Sequence, residues 1–167
     1  MRISAQNQRH PFSNIFKREK IFPYLWEKYF IMKLKMKRVN DAYHFQTQNE
    51  SGQVLDMDAS PEIGGVDAGL RPMQVLASSL AGCSSIDILN ILYKQKQEVE
   101  DFSVEISAKR ADTIPATFTN IHLKISIKGK VDLAKAERAA QLSFEKYCSV
   151  SKMLEGSCEI TYEVKVN

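Results

Sequence analysis

Residues 76–92 read LASSLAGCSSIDILNIL. Seventeen residues pass without a proline, and small and apolar side chains dominate. One cysteine, Cys83, stands in the middle, and one carboxylate, Asp87, lies four residues beyond it. Pro72 opens the segment at the helical position where a missing N–H does no harm. The pattern predicts a helix from Pro72 to about Lys96, roughly 37 Å long at 1.5 Å per residue. Between Val75 and Leu92 its apolar residues surround it almost completely, and a helix apolar on every side must be buried on every side. A domain of about 135 residues is small for that task, so a second copy is expected to complete the burial. Cys83 has two readings at this point. Free cysteine is a common small core residue; alternatively, the thiol reacts.

Strand patterns flank the helix on both sides. KLKMKRV (33–39) alternates, Asn40-Asp41 makes a turn, and YHFQTQ (43–48) alternates again, which is a hairpin. QVLDMD (53–58) adds a third short strand, and the glycine-containing loop PEIGGVDAGLR (61–71) leads into the helix. Beyond it, FSVEISA from Phe102 and IHLKISIKG from Ile121 alternate, joined through a loop with Pro115. Asp132 caps a helix over LAKAERAAQLSFEKYC, where Leu133, Ala136, Ala140 and Phe144 share a face. SVSKMLEG reads as a short helix stopped at Gly156, and CEITYEVKV as a last strand. Antiparallel strand pairs with inserted helices give an α+β fold rather than a doubly wound sheet.

The chain has 167 residues, 44% of them apolar and 26% charged, ordinary values for a globular protein. The absence of an unbroken run of 18 apolar residues argues against a membrane span. Its 3 cysteines are too few for a secreted disulfide framework and fit a reducing cytoplasm. The net charge is +3, yet residues 1–31 alone hold six Lys or Arg against Glu19 and Glu27. The rest is near neutral, which argues against nucleic acid as a partner. Lys33, Lys35, Lys37 and Arg38 are the one dense basic cluster there, and their alternation with Leu34 and Met36 reads as the solvated face of a strand. Residues 1–31 lack the periodicity that begins at Met32. A domain is therefore expected over 32–167, preceded by an extension: a frayed arm, an added interface segment or the product of an upstream start codon.

Chemistry-bearing residues are sparse. Cys148 lies where two helices meet, Cys158 begins the last strand, and no cysteine pair has metal-ligand spacing such as C-x-x-C. No metal or cofactor is expected. His10, His44 and His122 are scattered, and the latter two read as hydrogen-bonded or exposed strand residues. The glycines fit no phosphate-binding loop.

RPMQVLASSLAGCSSIDIL with FEKYCSVSKML far downstream resembles the OsmC-like family, which includes the organic hydroperoxide resistance proteins. The resemblance covers about residues 32–167. It rests on the proline opening the helix, the small residues before Cys83, and Cys148 with Val150 and Ser151 close behind it. It implies an intertwined homodimer with long central helices and sites at the dimer interface. It also implies that Cys83 is a peroxidatic thiolate that attacks an organic hydroperoxide. Cys148 would then condense with the resulting sulfenic acid, and a dithiol such as a reduced lipoyl group would reduce the disulfide. One position departs from the pattern. The hydroperoxide resistance proteins carry a glutamate after the helix-opening proline that orients an active-site arginine; here Met73 comes after Pro72. The family's arginine comes from the N-terminal hairpin region, where Arg38 lies, and Arg71 and Arg110 are further cation candidates. A cation is needed because Cys83 is too deep in its helix for the dipole to help. Asp87, at i+4 on the same face, disfavours a thiolate unless it is paired, although it could equally bond a neighbouring element across a dimer. Three functions stay open: a thiol peroxidase, a dimeric redox-sensing or ligand-binding protein of the same fold, and a structural dimer with inert cysteines.

Overall fold

The computed structural model describes residues 31–167; apart from Ile31, the extension expected over 1–31 lies outside the described residues. The chain opens with an antiparallel meander of β1 (Leu34–Arg38), β2 (Phe45–Asn49) and β3 (Val54–Met57). Asparagine side chains shape both turns. Asn40 accepts from the N–H groups of Ala42 (3.0 Å) and His44 (3.3 Å), and Asn49 from those of Ser51 (3.0 Å) and Gln53 (2.9 Å). The loop after β3 is organised by buried Asp58, whose carboxylate accepts from the N–H groups of Ala59, Val66 and Ala68 at 2.8–3.1 Å. Burial pushes that carboxyl's pKa up, but the three donors, helped by His44, outweigh it and hold it below the ordinary value. Gly69 lets the loop return to the sheet: a Cβ there would lie 2.5 Å from the Asp56 carbonyl carbon.

The long helix, α1, spans Pro72–Lys94. It ends two residues before the expected Lys96 because Lys96 turns left-handed at φ 58°. Lys96 N–H then bonds Tyr93 O (2.9 Å) and Gln97 N–H bonds Leu92 O (3.0 Å), the paired bonds of a Schellman stop. Glycine normally holds that position. A second sheet comes next, of β4 (Glu98–Arg110), β5 (Phe118–Lys130) and β6 (Glu159–Val166), with β5 in the middle. β4 and β5 are antiparallel, but β6 runs parallel to β5, because the helices between them carry the chain back to the same end. Those helices are α2 (Leu133–Leu142) and α3 (Ser149–Leu154), joined by a π-helical turn over Ser143–Tyr147. Asp132 caps α2 by accepting from Lys135 N–H at 2.9 Å.

One core is buried between α1, α2 and the second sheet. Leu80, Ile88 and Leu92 of α1 meet Ile121, Leu123, Ile125 and Ile127 of β5, with Ala136, Ala139 and Ala140 of α2 closing over them. None of its residues comes from the first sheet. Within one chain α1 is therefore not buried on every side: Ile86 stays 70% exposed and Tyr93 57%. β1 departs from expectation in the same way. Leu34 and Met36 are exposed, as is Lys35 between them, because no other described element covers that face. α1 has the length and mean hydropathy (1.6) of a membrane span, yet one stripe of it is sealed in this core.

Lys96 yields a stability prediction. A non-glycine residue in the left-handed region is strained by about 1–2 kcal/mol, and glycine recovers that less its own unfolded-state entropy. Lys96→Gly should stabilise the fold by about 0.5–1 kcal/mol and Lys96→Val should destabilise it, measured by urea unfolding at fixed protein concentration.

Candidate functional site

Cys83 and Asp87 sit one turn apart in the middle of α1. Their partner arrives from the corner after α2. There the helix widens, so that Cys148 N–H reaches five residues back to Ser143 O (2.8 Å). Such a π turn inserts one extra residue and re-aims the chain beyond it. Cys148 leaves it in extended conformation (φ −69°, ψ 105°), and its sulfur caps α3 by accepting from Ser151 N–H at 3.4 Å. As a result Cys83 Sγ, Cys148 Sγ and an Asp87 carboxylate oxygen all lie within 4.8 Å of one another.

Small polar residues make this approach possible. Buried Ser143 shares its one hydroxyl proton between Ser84 O (3.3 Å) and Asp87 Oδ2 (3.4 Å). Buried Ser151 donates to Phe144 O at 3.2 Å, a carbonyl at the helix break that needs a partner. The small residues around Cys83 thus have a packing purpose: they let two helices close on the thiol. Sequence alone does not mark Ser143. Its signal is a serine five residues before Cys148, which is meaningful only once the turn is known to be π-helical.

The two thiols differ. Cys148 is fully buried, while Cys83 is only partly so. Burial pushes the Cys148 thiol up to about 11, and the hydrogen bond with Cys83 adds to this, against weaker opposing bonds from Ser151 and Val150 N–H. Cys158 stays outside the cluster, its sulfur facing Leu154 O at 3.9 Å, and burial raises its pKa too. A cleft of about 420 Å³ reaches Asp87, lined also by Asn90, Ile91, Lys94, Leu142 and Tyr147.

The cation candidates lie elsewhere in the chain. Arg71 pairs with Asp67 and donates to Gly69 O at 3.1 Å. It precedes Cys83 by twelve residues, about 18 Å along the helix. Arg110 donates to Ala116 O at 2.8 Å within the β4–β5 connection. Arg38 is an exposed residue ending β1. Met73, where the resemblance leads one to expect glutamate, packs against the core. The histidines have partners in their own sheets: His44 pairs with Asp56 (2.7 Å) and His122 with Thr161 (2.8 Å).

The contrast between the thiols is directly measurable. With a pKa near 11, Cys148 is thiolate in roughly one part per thousand at pH 8. Iodoacetamide at pH 8 under native conditions should label Cys83 first, with Cys148 labelled only after denaturation; peptide mass spectrometry reads the order.

The sequence pattern of the OsmC-like protein family matches residues 65–163, which include Cys83, Asp87 and Cys148. A curated relative, protein YhfA of Escherichia coli K12, is 37% identical over 124 residues, 73% of this chain and 89% of YhfA. A solved structure of a hypothetical protein from Aquifex aeolicus is 32% identical with a TM-score of 0.69, covering 82% of this chain and 98% of that one. The fold also matches a Legionella pneumophila structure described as an organic hydroperoxide resistance protein OsmC, at 22% identity and TM-score 0.63, over 82% of this chain and 98% of that one. With its paired sulfurs at the junction of the long helix and the π-turn corner, the chain belongs to the OsmC-like family.

Proposed function

We propose that this protein is a cytoplasmic, homodimeric thiol peroxidase that reduces organic hydroperoxides with Cys83 and Cys148. The observation that carries the proposal is the pair itself: a partly buried cysteine and a fully buried, protonated one with their sulfurs within 4.8 Å. In the first step the Cys83 thiolate attacks the outer peroxide oxygen. The O–O bond breaks, Cys83 becomes a sulfenic acid, and the alkoxide leaves as an alcohol after taking a proton. In the second step Cys148 attacks the sulfenic sulfur, losing its proton as water departs, and the disulfide forms. An S–S bond of about 2.05 Å requires the sulfurs to close further, and the Ser143–Tyr147 turn beside Cys148 is the segment to accommodate it. A dithiol reductant then restores both thiols. The alcohol, water and disulfide account for both peroxide oxygens and both electrons.

Burial supports the homodimer. Leu34 and Met36 on the first sheet are 56% and 62% exposed, and Ile86 and Tyr93 on α1 also remain open. A patch this apolar marks an interface, and a second copy laying its first sheet over α1 would cover both faces. Arg38 lies on that exposed strand at the same alternation as Leu34 and Met36, whereas Arg71 and Arg110 have partners within their own chain, which favours Arg38 as the thiolate's cation in such a dimer.

One observation favours a second reading, a dimeric redox sensor or ligand-binding protein of low turnover. Met73 cannot orient an arginine, and Asp87 lies beside the thiol.

Stopped-flow kinetics with cumene hydroperoxide separate these readings. For a peroxidase, Cys83→Ser should abolish turnover, while Cys148→Ser should complete one turnover and stop with a sulfenic acid at Cys83, trapped by dimedone. Oxidation of the wild type no faster than a free thiol would favour the sensor. Sedimentation at micromolar concentration should give a dimer, and a stable folded monomer would refute that part of the proposal.

A further inference from the structure

Asp87 is hard to understand as the neighbour of a nucleophile. It is a half-buried carboxylate one helical turn from Cys83, and among the described residues no lysine or arginine forms an ion pair with it. The same carboxylate is well placed if the site receives a cation. Two sulfurs and one carboxylate oxygen lie mutually within 4.8 Å. A tetrahedral ion with Zn–S near 2.3 Å and Zn–O near 2.1 Å needs S···S of about 3.8 Å and S···O of about 3.6 Å. The atoms therefore need to close by about 1.2 Å at most, within the reach of side-chain torsions.

The surroundings meet the other requirements of a metal site. Ser143 Oγ donates to Asp87 Oδ2 at 3.4 Å, which orients the carboxylate. Ser151 N–H donates to Cys148 Sγ at 3.4 Å, a bond that strengthens when the sulfur is a thiolate. A cleft of about 420 Å³ opens the carboxylate side of the cluster, at Asp87, to solvent. Two soft sulfurs with one oxygen select Zn²⁺ over Mg²⁺ or Ca²⁺. Three protein ligands leave the fourth position to water.

We propose that reduced Cys83, Asp87 and Cys148 form a three-ligand Zn²⁺ site, and that the bound ion closes the dithiol to oxidants. Binding forms two Zn–S bonds and one Zn–O bond and releases the thiol protons, with no change of oxidation state. Each bound sulfur shares electron density with the ion and is a weaker nucleophile toward a peroxide, and a Cys83–Cys148 disulfide cannot hold the ion. Metal binding and oxidation therefore exclude one another. The site uses residues of the proposed peroxidase, but its existence does not depend on turnover.

The test uses the full chain, reduced and metal-free, under anaerobic conditions. Titration with Zn²⁺ against a chromogenic chelator should show one ion per chain. Co²⁺ in its place should give the intense visible bands of a tetrahedral ion and a thiolate-to-cobalt charge-transfer band in the near ultraviolet. Cys83→Ser and Cys148→Ser should each weaken Zn²⁺ by at least about a hundredfold and reduce the charge-transfer band. Asp87→Asn should weaken it about tenfold or more while retaining that band, and Cys158→Ser should change nothing. Circular dichroism establishes that each variant is folded; if Cys148→Ser is not, Cys83→Ser at the more exposed position decides. Zn²⁺ should also slow alkylation of Cys83. Failure to bind one ion per chain, binding unaltered in Cys83→Ser, or binding that requires Cys158 would each overturn the proposal. Hydroperoxide turnover of the metal-free protein, measured separately, tests the peroxidase reading whichever way the titration falls.

Discussion

Everything at the site depends on how closely α2 and the turn at its end approach α1. Large side chains on either surface would hold the backbones apart and strand each sulfur in its own helix. Instead Ala136, Ala139 and Ala140 face the core from α2, and Ser84 and Ser143 meet where the helices come together. The serines do two things that alanines would not. Ser143 ties the helices through the Ser84 carbonyl and also reaches Asp87, so the spacing of the helices and the orientation of the carboxylate are set by one hydroxyl. The π-helical turn completes the geometry, because a regular helix continued through Cys148 would direct that residue along a different face.

The electrostatic character of the site is a consequence of this packing. A fully buried Cys148 stays protonated, which in the peroxidase reading suits it to wait for a sulfenic acid rather than to attack first. Cys83, closer to solvent, is open to reaction but has a carboxylate for a neighbour. That carboxylate calls for a positive charge, and Arg71 and Arg110 are engaged elsewhere in the chain. The peroxidase reading supplies the charge from the Arg38 of a second copy, and the metal-site proposal supplies it as Zn²⁺. They apply to different states of one site: an arginine serves a thiolate poised to react, and an ion seals the reduced pair.

Much of this is legible in the sequence for identifiable reasons. The run from Val75 to Leu92 announces a long helix, and its lack of a polar face announces that one chain cannot cover it. The strand alternations mark both sheets, and Asp132 marks a helix start. Three features are hidden. The parallel pairing of β6 depends on where two helices return the chain, which periodicity does not record. The π turn at Ser143–Tyr147 has the composition of an ordinary helix, so its consequence for Cys148 cannot be read. The early end of α1 comes from a left-handed Lys96, where sequence signals call for glycine. Metal-ligand spacing fails as a guide for a related reason: Cys83 and Cys148 meet through space, from separate helices.

The central claim is that Cys83 and Cys148 act as one pair. Peptide mapping under non-reducing conditions after treatment with one equivalent of an alkyl hydroperoxide tests it most directly. The account predicts a single new species, a disulfide joining the Cys83 and Cys148 peptides within one chain, with Cys158 still free. A cross-link through Cys158, or overoxidation of Cys83 with Cys148 still a free thiol, would contradict it.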